Sequence, residues 1–360
     1  MPFDRILVIV TAQLGDALIC TPLIHAARQQ WPQARIDVLG FAGTLDLLAG
    51  NPDVSGLIEV ARHGNLKAHW HDLRRLWRRY DLALVTRTSD RAHLYGLVAA
   101  RVRSALLPGG TDEARWKRRL TRHGFTAATG VHQVLEKLQL LSPWMAAPPA
   151  LSLRAPVAAA LPPEIEAQLV RPCVLVHVPS MWRYKQWPTA HYREVIAGLL
   201  ADGVQVVLTG SGSANDQALI ADVRHMAPAP ALLDVSGRLS LAQVRALMDR
   251  ADAYMGPDTS LTHLAAALGL PSVTVYGPTH PQEFGPWPRE HPAQQPWARR
   301  AQRQEVGPIV MLQGPDLPDR QCVPCTRMGC EDRRDSDSFC LQGLAPQRVL
   351  EELRRLLATP

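Results

Sequence analysis

Residues 5–40 have the sequence RILVIVTAQLGDALICTPLIHAARQQWPQARIDVLG, and this stretch decides the fold. Apolar residues 6–10 are followed by a polar turn at residues 11–16, by apolar residues at helical spacing, and by a second short apolar run after Arg35. Two strands that flank one helix pair in parallel, because the helix carries the chain back to the end of the sheet at which the first strand began. The stretch therefore predicts a βαβ unit that begins a parallel sheet.

The same alternation continues to about residue 86 and restarts at residue 174, after a Pro- and Ala-rich segment at residues 142–172. The 360 residues also exceed one ordinary core. We therefore expect the α/β class, with two doubly wound Rossmann-like domains whose strand ends face a cleft. The expected divisions are residues 1–155, residues 156–342 and a closing amphipathic helix at residues 343–360.

Composition restricts the class of protein. Apolar residues make up 46% of the chain and charged residues 20%, which is typical of a globular protein. The first apolar run is too short for a signal peptide or a membrane span, so we expect a soluble cytoplasmic protein. Between residue 277 and the closing helix, Pro, Gln and Arg dominate and predict irregular structure.

The net charge of +6 comes from the first half of the chain, where residues 1–160 hold 20 Lys and Arg against 12 Asp and Glu. Much of the excess lies in two tryptophan-bearing runs, RRLWRR at residues 74–79 and RWKRR at residues 115–119. These runs are either solvated helix faces or contacts to an anionic surface, formed by membrane headgroups or a phosphorylated substrate. Nucleic acid is disfavoured because no recognition motif accompanies the charge.

Three loops at predicted strand ends carry candidate chemistry. The first turn ends in Asp16, which fits either a general base or a helix cap, and it lacks the G-x-G-x-x-G dinucleotide motif. The loop after the strand near residue 174 holds Ser180, Arg183 and Lys185, a set able to bind a diphosphate. Asp258 follows a third strand at a helix start, where free N–H groups favour an anion, with His263 one turn on. A structural cap at Asp258 and a surface histidine are the alternatives.

Taken together, these segments resemble the ADP-heptose:lipopolysaccharide heptosyltransferases of glycosyltransferase family nine, over essentially the whole chain. The matching motifs are L-G-D at residues 14–16, H-x-P-S-x-x-x-x-K-x-W-P at residues 177–188, and G-P-D-T-S-L-x-H-L-A-A-A-L-G-x-P-x-V-x-x-Y-G-P-T at residues 256–279. Ser260 stands where the family's usual turn, Asp-Thr-Gly, has glycine.

The resemblance implies a GT-B fold, with the acceptor bound by the first domain, the nucleotide-sugar donor bound by the second, and the last helix packed back on the first domain. It implies an inverting, metal-independent transfer of heptose from ADP-L-glycero-D-manno-heptose to the inner core of lipopolysaccharide. The acceptor is then a lipid-linked core oligosaccharide, reached by peripheral contact with the cytoplasmic face of the inner membrane.

Residue roles follow from the same resemblance. Asp16, in a turn with Gly15, would be the general base that activates the acceptor. Lys185 would neutralise the leaving diphosphate, and Asp258 would hold sugar hydroxyls beside His263. The remaining donor-binding positions implied are Ser180, Arg183, Gly256, Thr259, Ser260 and Leu261.

Two alternatives to the transferase remain at this point, a sugar-nucleotide epimerase of similar fold and a non-catalytic nucleotide-sugar-binding protein. The cysteines leave a choice as well. Cys20 and Cys173 lie in apolar elements and are expected to be inert core residues. A second group of four, Cys322, Cys325, Cys330 and Cys340, has a spacing compatible with zinc, but we favour a reduced, loop-ordering cluster over a metal site.

Overall fold

The computed structural model describes residues 3–63, 66–110, 114–224 and 231–358. The chain forms two compact units. Unit 1 comprises Met1–Val157 with Glu290–Gln295, and unit 2 comprises Ala158–Arg289 with Pro296–Pro360. The boundary thus falls inside the Pro- and Ala-rich segment, and one short piece from late in the chain belongs to unit 1.

Unit 1 is built on a parallel sheet whose described strands have the order β3-β2-β1-β4-β5-β6. These strands are β1 Arg5–Val10, β2 Arg35–Phe41, β3 Gly56–Val60, β4 Tyr80–Val85, β5 Ala100–Leu107 and β6 His123–Thr126. The helices are α1 Leu14–Ile19, α2 Thr21–Gln30, α3 Leu66–Leu76, α4 Asp90–Ala99, α5 Arg115–Leu120 and α6 Gln133–Leu138, with 3₁₀ turns at Asp46–Leu48 and Gln139–Leu141. A small antiparallel pair joins β7 Ala150–Leu151 to β13 His291–Pro292.

Unit 2 has a second sheet with the order β10-β9-β8-β11-β12-β15-β14, parallel except for β14. Its described strands are β8 Cys173–His177, β9 Gln205–Thr209, β10 Leu232–Asp234, β11 Ala253–Pro257, β12 Ser272–Tyr276, β14 Arg303–Val306 and β15 Ile309–Gln313. Its helices are α7 Pro163–Glu166, α8 Thr189–Ala201, α9 Ala214–Arg224, α10 Leu241–Met248, α11 Ser260–Leu268, α12 Pro281–Phe284, α13 Phe339–Gln342 and α14 Pro346–Leu357, with a 3₁₀ turn at Arg183–Lys185. The predicted pair of doubly wound α/β domains is confirmed.

The central strands are buried along their whole length, as expected for a parallel sheet covered on both faces. Residues 6–10 of β1 and all five residues of β8 are buried. Cys20 and Cys173 lie in these cores, and burial raises the pKa of each thiol to about 11. Both cysteines are therefore inert core residues, as the sequence predicted.

The closing helix belongs to unit 2. α14 packs there against α8 and the adjoining strands. Gly198 of α8 allows α14 to pack this closely, because a Cβ at residue 198 would lie 2.3 Å from Leu350 of α14. Val349 and Leu353 are fully buried in the core of unit 2.

Several other segments differ from the sequence predictions. The sequence pattern predicts one helix over residues 16–31, but the structure has two, α1 and α2, with a break at Cys20 just before Pro22. The segment after residue 277 is not wholly irregular, because β15 pairs with β12 and extends the sheet. The pattern also predicts a helix over residues 215–226; the structure describes it as α9 up to Arg224, and residues 225 and 226 lie outside the described ranges.

Among the helices that the structure describes, none is both long enough and apolar enough to cross a bilayer.

The packing of α14 gives a stability prediction. Leu353→Ala removes a fully buried side chain and should lower the free energy of unfolding of unit 2 by about 2–4 kcal/mol, measured by chemical denaturation. Leu356→Ala, at a half-buried position of the same helix, is the matched control and should cost less than half as much. Equal losses in the two variants would contradict this packing.

Candidate active site

The sheet of unit 2 has a switch point between β8 and β11. From there the chain order runs outward through β9 and β10 on one side, and through β12 and β15 on the other. Loops at the carboxyl ends of the two central strands diverge at such a point and leave a crevice that binds ligands. Lys185 lies in the loop after β8, and Asp258 follows β11 directly.

Lys185 and Asp258 form an ion pair across this switch point. Lys185 Nζ donates a hydrogen bond to Asp258 Oδ2 over 2.6 Å, and the two side chains are 23% and 8% exposed. Burial by itself would raise the pKa of Asp258, but the Lys185 ammonium outweighs it and lowers that pKa below its ordinary value. The Asp258 carboxyl is therefore ionised at neutral pH. The pair joins two loops whose residues are 73 positions apart in sequence.

Two further groups act on the Asp258 carboxylate. His263 and a hydrogen bond from the Thr279 hydroxyl both help to lower its pKa. His263 is buried, so the alternative of a surface histidine is excluded. Lys185, Asp258 and His263 are thus brought together as the sequence predicted, and Thr279 is a member to which the sequence had assigned no role.

The start of α11 is the second part of this site. Thr259 is the N-cap residue, not Asp258, and its side chain makes no capping hydrogen bond. The first N–H groups of a helix have no intrahelical acceptor and bind anions well. Ser260 and Leu261 supply the first two of these groups. Ser260 begins the helix with ordinary helical backbone, so the position does not need the conformational freedom of glycine.

Gly256 has a packing role inside β11. A Cβ at this position would lie 2.2 Å from the hydroxyl oxygen of Tyr254. That hydroxyl contacts the Thr262 hydroxyl over 3.0 Å, and Thr262 also donates to the carbonyl of Pro257. Because residue 256 is glycine, the hydroxyl of the buried Tyr254 has room to contact Thr262 in the first turn of α11.

The remaining residues predicted near the donor lie along the loop after β8. Ser180 is buried, and its carbonyl accepts a hydrogen bond from Gln186 over 2.9 Å, which fixes the loop. Arg183 is exposed and forms an ion pair with Asp337, with Nε and Oδ1 2.8 Å apart. Its guanidinium is thus engaged by a neighbouring segment of unit 2 and not by Asp258.

Unit 1 has the same kind of switch point, between β1 and β4. Asp16 lies in the first turn of α1, directly after β1, with Gly15 beside it. Its Oδ2 accepts a hydrogen bond from the N–H of Gln13 over 3.1 Å, and the side chain is 17% exposed. The carboxylate therefore does cap its helix, and the capping bond holds it in one orientation.

Sequence reasoning missed the partner of Asp16. Arg87 Nη1 lies 3.5 Å from Asp16 Oδ1, in the loop that follows β4. The signal was present in the chain, because Arg87 follows the end of a predicted strand. The strand order that makes β4 the neighbour of β1 was not predicted, so the two residues could not be paired.

The late cysteines form no metal site that the geometry defines. Across the described ranges, no three His, Cys, Asp or Glu side chains are grouped as metal ligands. Cys322 Sγ and Cys330 Sγ accept hydrogen bonds from the N–H groups of Leu317 and Phe339. Cys340 is buried, and this burial raises the pKa of its thiol to about 12.

Comparison with known proteins identifies the family. Residues 67–305, about two thirds of the chain, match the sequence profile of Glycosyltransferase family 9 (heptosyltransferase). The chain belongs to glycosyltransferase family 9. It is a glycosyltransferase enzyme, and its two doubly wound units are those of the GT-B fold.

Individual relatives agree with this placement. Lipopolysaccharide heptosyltransferase 1 of Pseudomonas aeruginosa is 27% identical over 386 residues, with 99% of each chain covered. The solved structure of ADP-heptose lps heptosyltransferase II from E. coli has a TM-score of 0.71 at 23% identity and covers 98% of each chain. TibC from enterotoxigenic E. coli, an iron-containing dodecameric glycosyltransferase, is similar in fold at 16% identity and a TM-score of 0.56, covering 99% of this chain and 76% of that one.

The ion pair of this family 9 enzyme gives a pH-dependent prediction. Because the folded pKa of Asp258 is lowered, its stabilising effect is present above the unfolded pKa and is lost as the pH falls. Lys185→Met leaves the carboxylate buried without its partner and should cost about 2–4 kcal/mol of unfolding free energy at neutral pH. The difference from wild type should narrow as the pH falls towards the ordinary pKa of aspartate and below it, because burial raises the pKa of the unpaired carboxyl and its protonation removes the buried charge.

Chemical denaturation over a pH series measures this difference. Arg193→Met, at an exposed arginine on α8, is the control for removing one cation and should change little. The double variant Lys185→Met/Asp258→Asn should recover part of the loss. If the loss of unfolding free energy in Lys185→Met stays constant down to low pH, lost packing and not the ion pair is its cause.

Proposed function

We propose that this enzyme transfers heptose from ADP-L-glycero-D-manno-heptose to a hydroxyl of the inner core oligosaccharide of lipopolysaccharide. The observation that carries the proposal is the Lys185–Asp258 pair beside the uncapped start of α11. This site combines one cation, free helix N–H groups and one fixed carboxylate within a single crevice. A nucleotide sugar needs these three features, two for its diphosphate and one for its sugar hydroxyls.

Unit 2 supplies the donor chemistry in this proposal. Lys185 stabilises the negative charge that develops on the diphosphate as the bond to the anomeric carbon breaks. The hydrogen bond to Asp258 holds this ammonium in place at the switch point. The N–H groups of Ser260 and Leu261 bind the same oxygens, and Asp258 also accepts from a sugar hydroxyl.

Unit 1 supplies the base. The acceptor oxygen attacks the anomeric carbon from the face opposite the diphosphate, its proton passes to a carboxylate oxygen of Asp16, and ADP departs, so the configuration inverts. Both carboxylate oxygens have defined neighbours, the Gln13 N–H and the Arg87 guanidinium. Orientation of this kind is what a general base requires, and a positioned base contributes roughly 10²–10⁴ in rate.

The proposed acceptor is a lipid-linked core oligosaccharide at the cytoplasmic face of the inner membrane. Its support is the family, whose relatives above include two lipopolysaccharide heptosyltransferases. Those two enzymes are heptosyltransferases 1 and II, and the chain is about equally similar to each, at 27% and 23% identity. The proposal therefore names the acceptor class and not the position of the linkage.

The base assignment is tested with Asp16→Asn. An asparagine oxygen can still accept from the Gln13 N–H, so the cap survives while the proton acceptor is lost. Transfer from ADP-heptose to truncated core acceptors, followed by mass spectrometry, should fall at least about 100-fold, while ADP binding is unchanged.

Asp319→Asn is the matched control, because the Asp319 side chain is exposed and its change should leave turnover intact. Wild-type turnover in Asp16→Asn would overturn the base assignment. Incubation of the wild type with donor alone tests the epimerase alternative, because an epimerase consumes donor without an acceptor. ADP binding with no transfer to any core acceptor would instead indicate a non-catalytic binding protein.

We propose further that transfer needs no metal, because Lys185 occupies the place where other transferases put a divalent cation. Dialysis against EDTA should then leave the transfer rate within about twofold of the untreated enzyme, as expected when no step depends on a Lewis acid. Lys185→Met measured beside it should lose activity with or without added Mg²⁺. A loss on chelation that Mg²⁺, Zn²⁺ or Fe²⁺ restores would contradict the proposal.

A further inference from the structure

Three helices of unit 1 form a layer that the reaction chemistry does not explain. α3 packs against α4, and α4 packs against α5, so the three lie side by side. Helices packed in this way are about 8–10 Å apart. We call α3, α4, α5 and the residues 77–79 that follow α3 the helix layer.

The helix layer exposes large aromatic side chains. Trp70 is 69% exposed, Trp77 is 62% exposed and Trp116 is 37% exposed. Among the described residues, these are the three tryptophans of the chain with more than a third of their surface exposed. Leu94 of α4 and Leu120 of α5 are 42% and 41% exposed and extend the same surface. Large apolar groups concentrated on one layer mark an interaction surface.

The exposed face of α3 also carries positive charge. Leu76 and Asp72 point inward and are buried, whereas Trp70, Arg74 and Trp77 all lie on the exposed side. The spacing of four residues places Trp70 and Arg74 on one face of α3, and Trp77 is exposed directly after the helix ends at Leu76. The guanidinium of Arg78 lies 5.7 Å from the centre of the Trp77 ring. The face is thus aromatic and cationic at once.

The short helix α5 repeats this chemistry. Its sequence is RWKRRL, with Arg118 and Arg119 exposed beside Trp116. Lys117 is buried and paired with Asp90 of α4 over 2.7 Å, which fastens α5 to its neighbour. The arginines of α5 therefore project from a fixed helix, on the same layer as those of α3.

We infer that the helix layer docks the enzyme on a bilayer surface that bears anionic phospholipid headgroups. Tryptophan prefers the interface between headgroups and hydrocarbon, where its apolar ring and its polar N–H are both accommodated. Amphipathic helices with tryptophan and arginine lie in that interface, and each basic residue near an anionic surface strengthens the attraction. Charge complementarity and exposed indole rings together favour a lipid surface over an aqueous polyanion.

This inference deepens the proposed function, since a lipid-linked acceptor lies in the surface on which the helix layer would rest. The docking itself needs neither donor nor acceptor. Vesicle binding can therefore be measured without either substrate, and a failure of heptosyl transfer leaves it untouched. Failure of docking likewise leaves transfer to a soluble, delipidated core acceptor unchanged.

The test is cosedimentation of the full chain with vesicles of phosphatidylcholine, alone or mixed with phosphatidylglycerol. The wild-type protein should bind the mixed vesicles, and this binding should weaken at high salt. It should bind vesicles of phosphatidylcholine alone only weakly. Arg74→Glu/Arg118→Glu should lower the partition constant at least about 25-fold, since each basic residue contributes roughly fivefold near an anionic surface. Trp70→Ala/Trp77→Ala should also weaken binding, at every salt concentration.

Matched controls change the same chemistry elsewhere. Arg193→Glu/Arg320→Glu reverses two exposed arginines of unit 2, and Leu57→Ala/Val170→Ala removes two exposed apolar side chains outside the helix layer. Both should bind vesicles like wild type, and all four variants should keep wild-type transfer to the soluble acceptor. The inference is overturned if the layer variants bind like their controls, or if soluble core oligosaccharide or RNA, and not vesicles, binds through the tryptophan face.

Discussion

Lys185 and Asp258 form a 2.6 Å hydrogen bond at the point where the strand order of the unit 2 sheet reverses. Much of the site depends on that contact. The carboxylate is nearly buried and would cost free energy without its cation. The ammonium is in turn held at the start of α11 by the carboxylate. One pair thus fixes both the charge that we propose faces the diphosphate and the loop that presents it.

The two units share one structural feature, an ion pair at the switch point of each sheet. In unit 1 the pair is Asp16 and Arg87, after β1 and β4, and in unit 2 it is Lys185 and Asp258, after β8 and β11. Each pair joins loops that diverge at a switch point, where a doubly wound sheet leaves room for a ligand. In both pairs the aspartate is the more buried member, with Asp258 8% exposed and Asp16 17% exposed. The roles that we propose for the two carboxylates differ, because Asp258 would hold the donor and Asp16 would act as the base.

The sequence predicted those parts of this arrangement that depend on neighbours along the chain. Hydrophobic runs located β1, β8 and β11, and the turn residues located Asp16, Lys185 and Asp258. Contacts between distant segments could not be predicted in the same way. Strand order or the shape of a packed surface determines three such contacts. They are the pairing of β15 with β12, the packing of α14 on Gly198 and the ion pair of Arg87 with Asp16. Burial of His263 depends on the same kind of long-range packing.

The binding of ADP tests the central claim most directly, because it isolates the donor site from acceptor and chemistry. Calorimetric titration of ADP into wild type, Lys185→Met and the exposed-surface control Arg193→Met compares three proteins that differ by one cation each. Lys185→Met should weaken ADP binding by about tenfold or more, because it loses one charge-assisted hydrogen bond to phosphate. Arg193→Met should bind ADP like wild type. Equal affinity in all three proteins would contradict the assignment of the Lys185–Asp258 crevice as the diphosphate site.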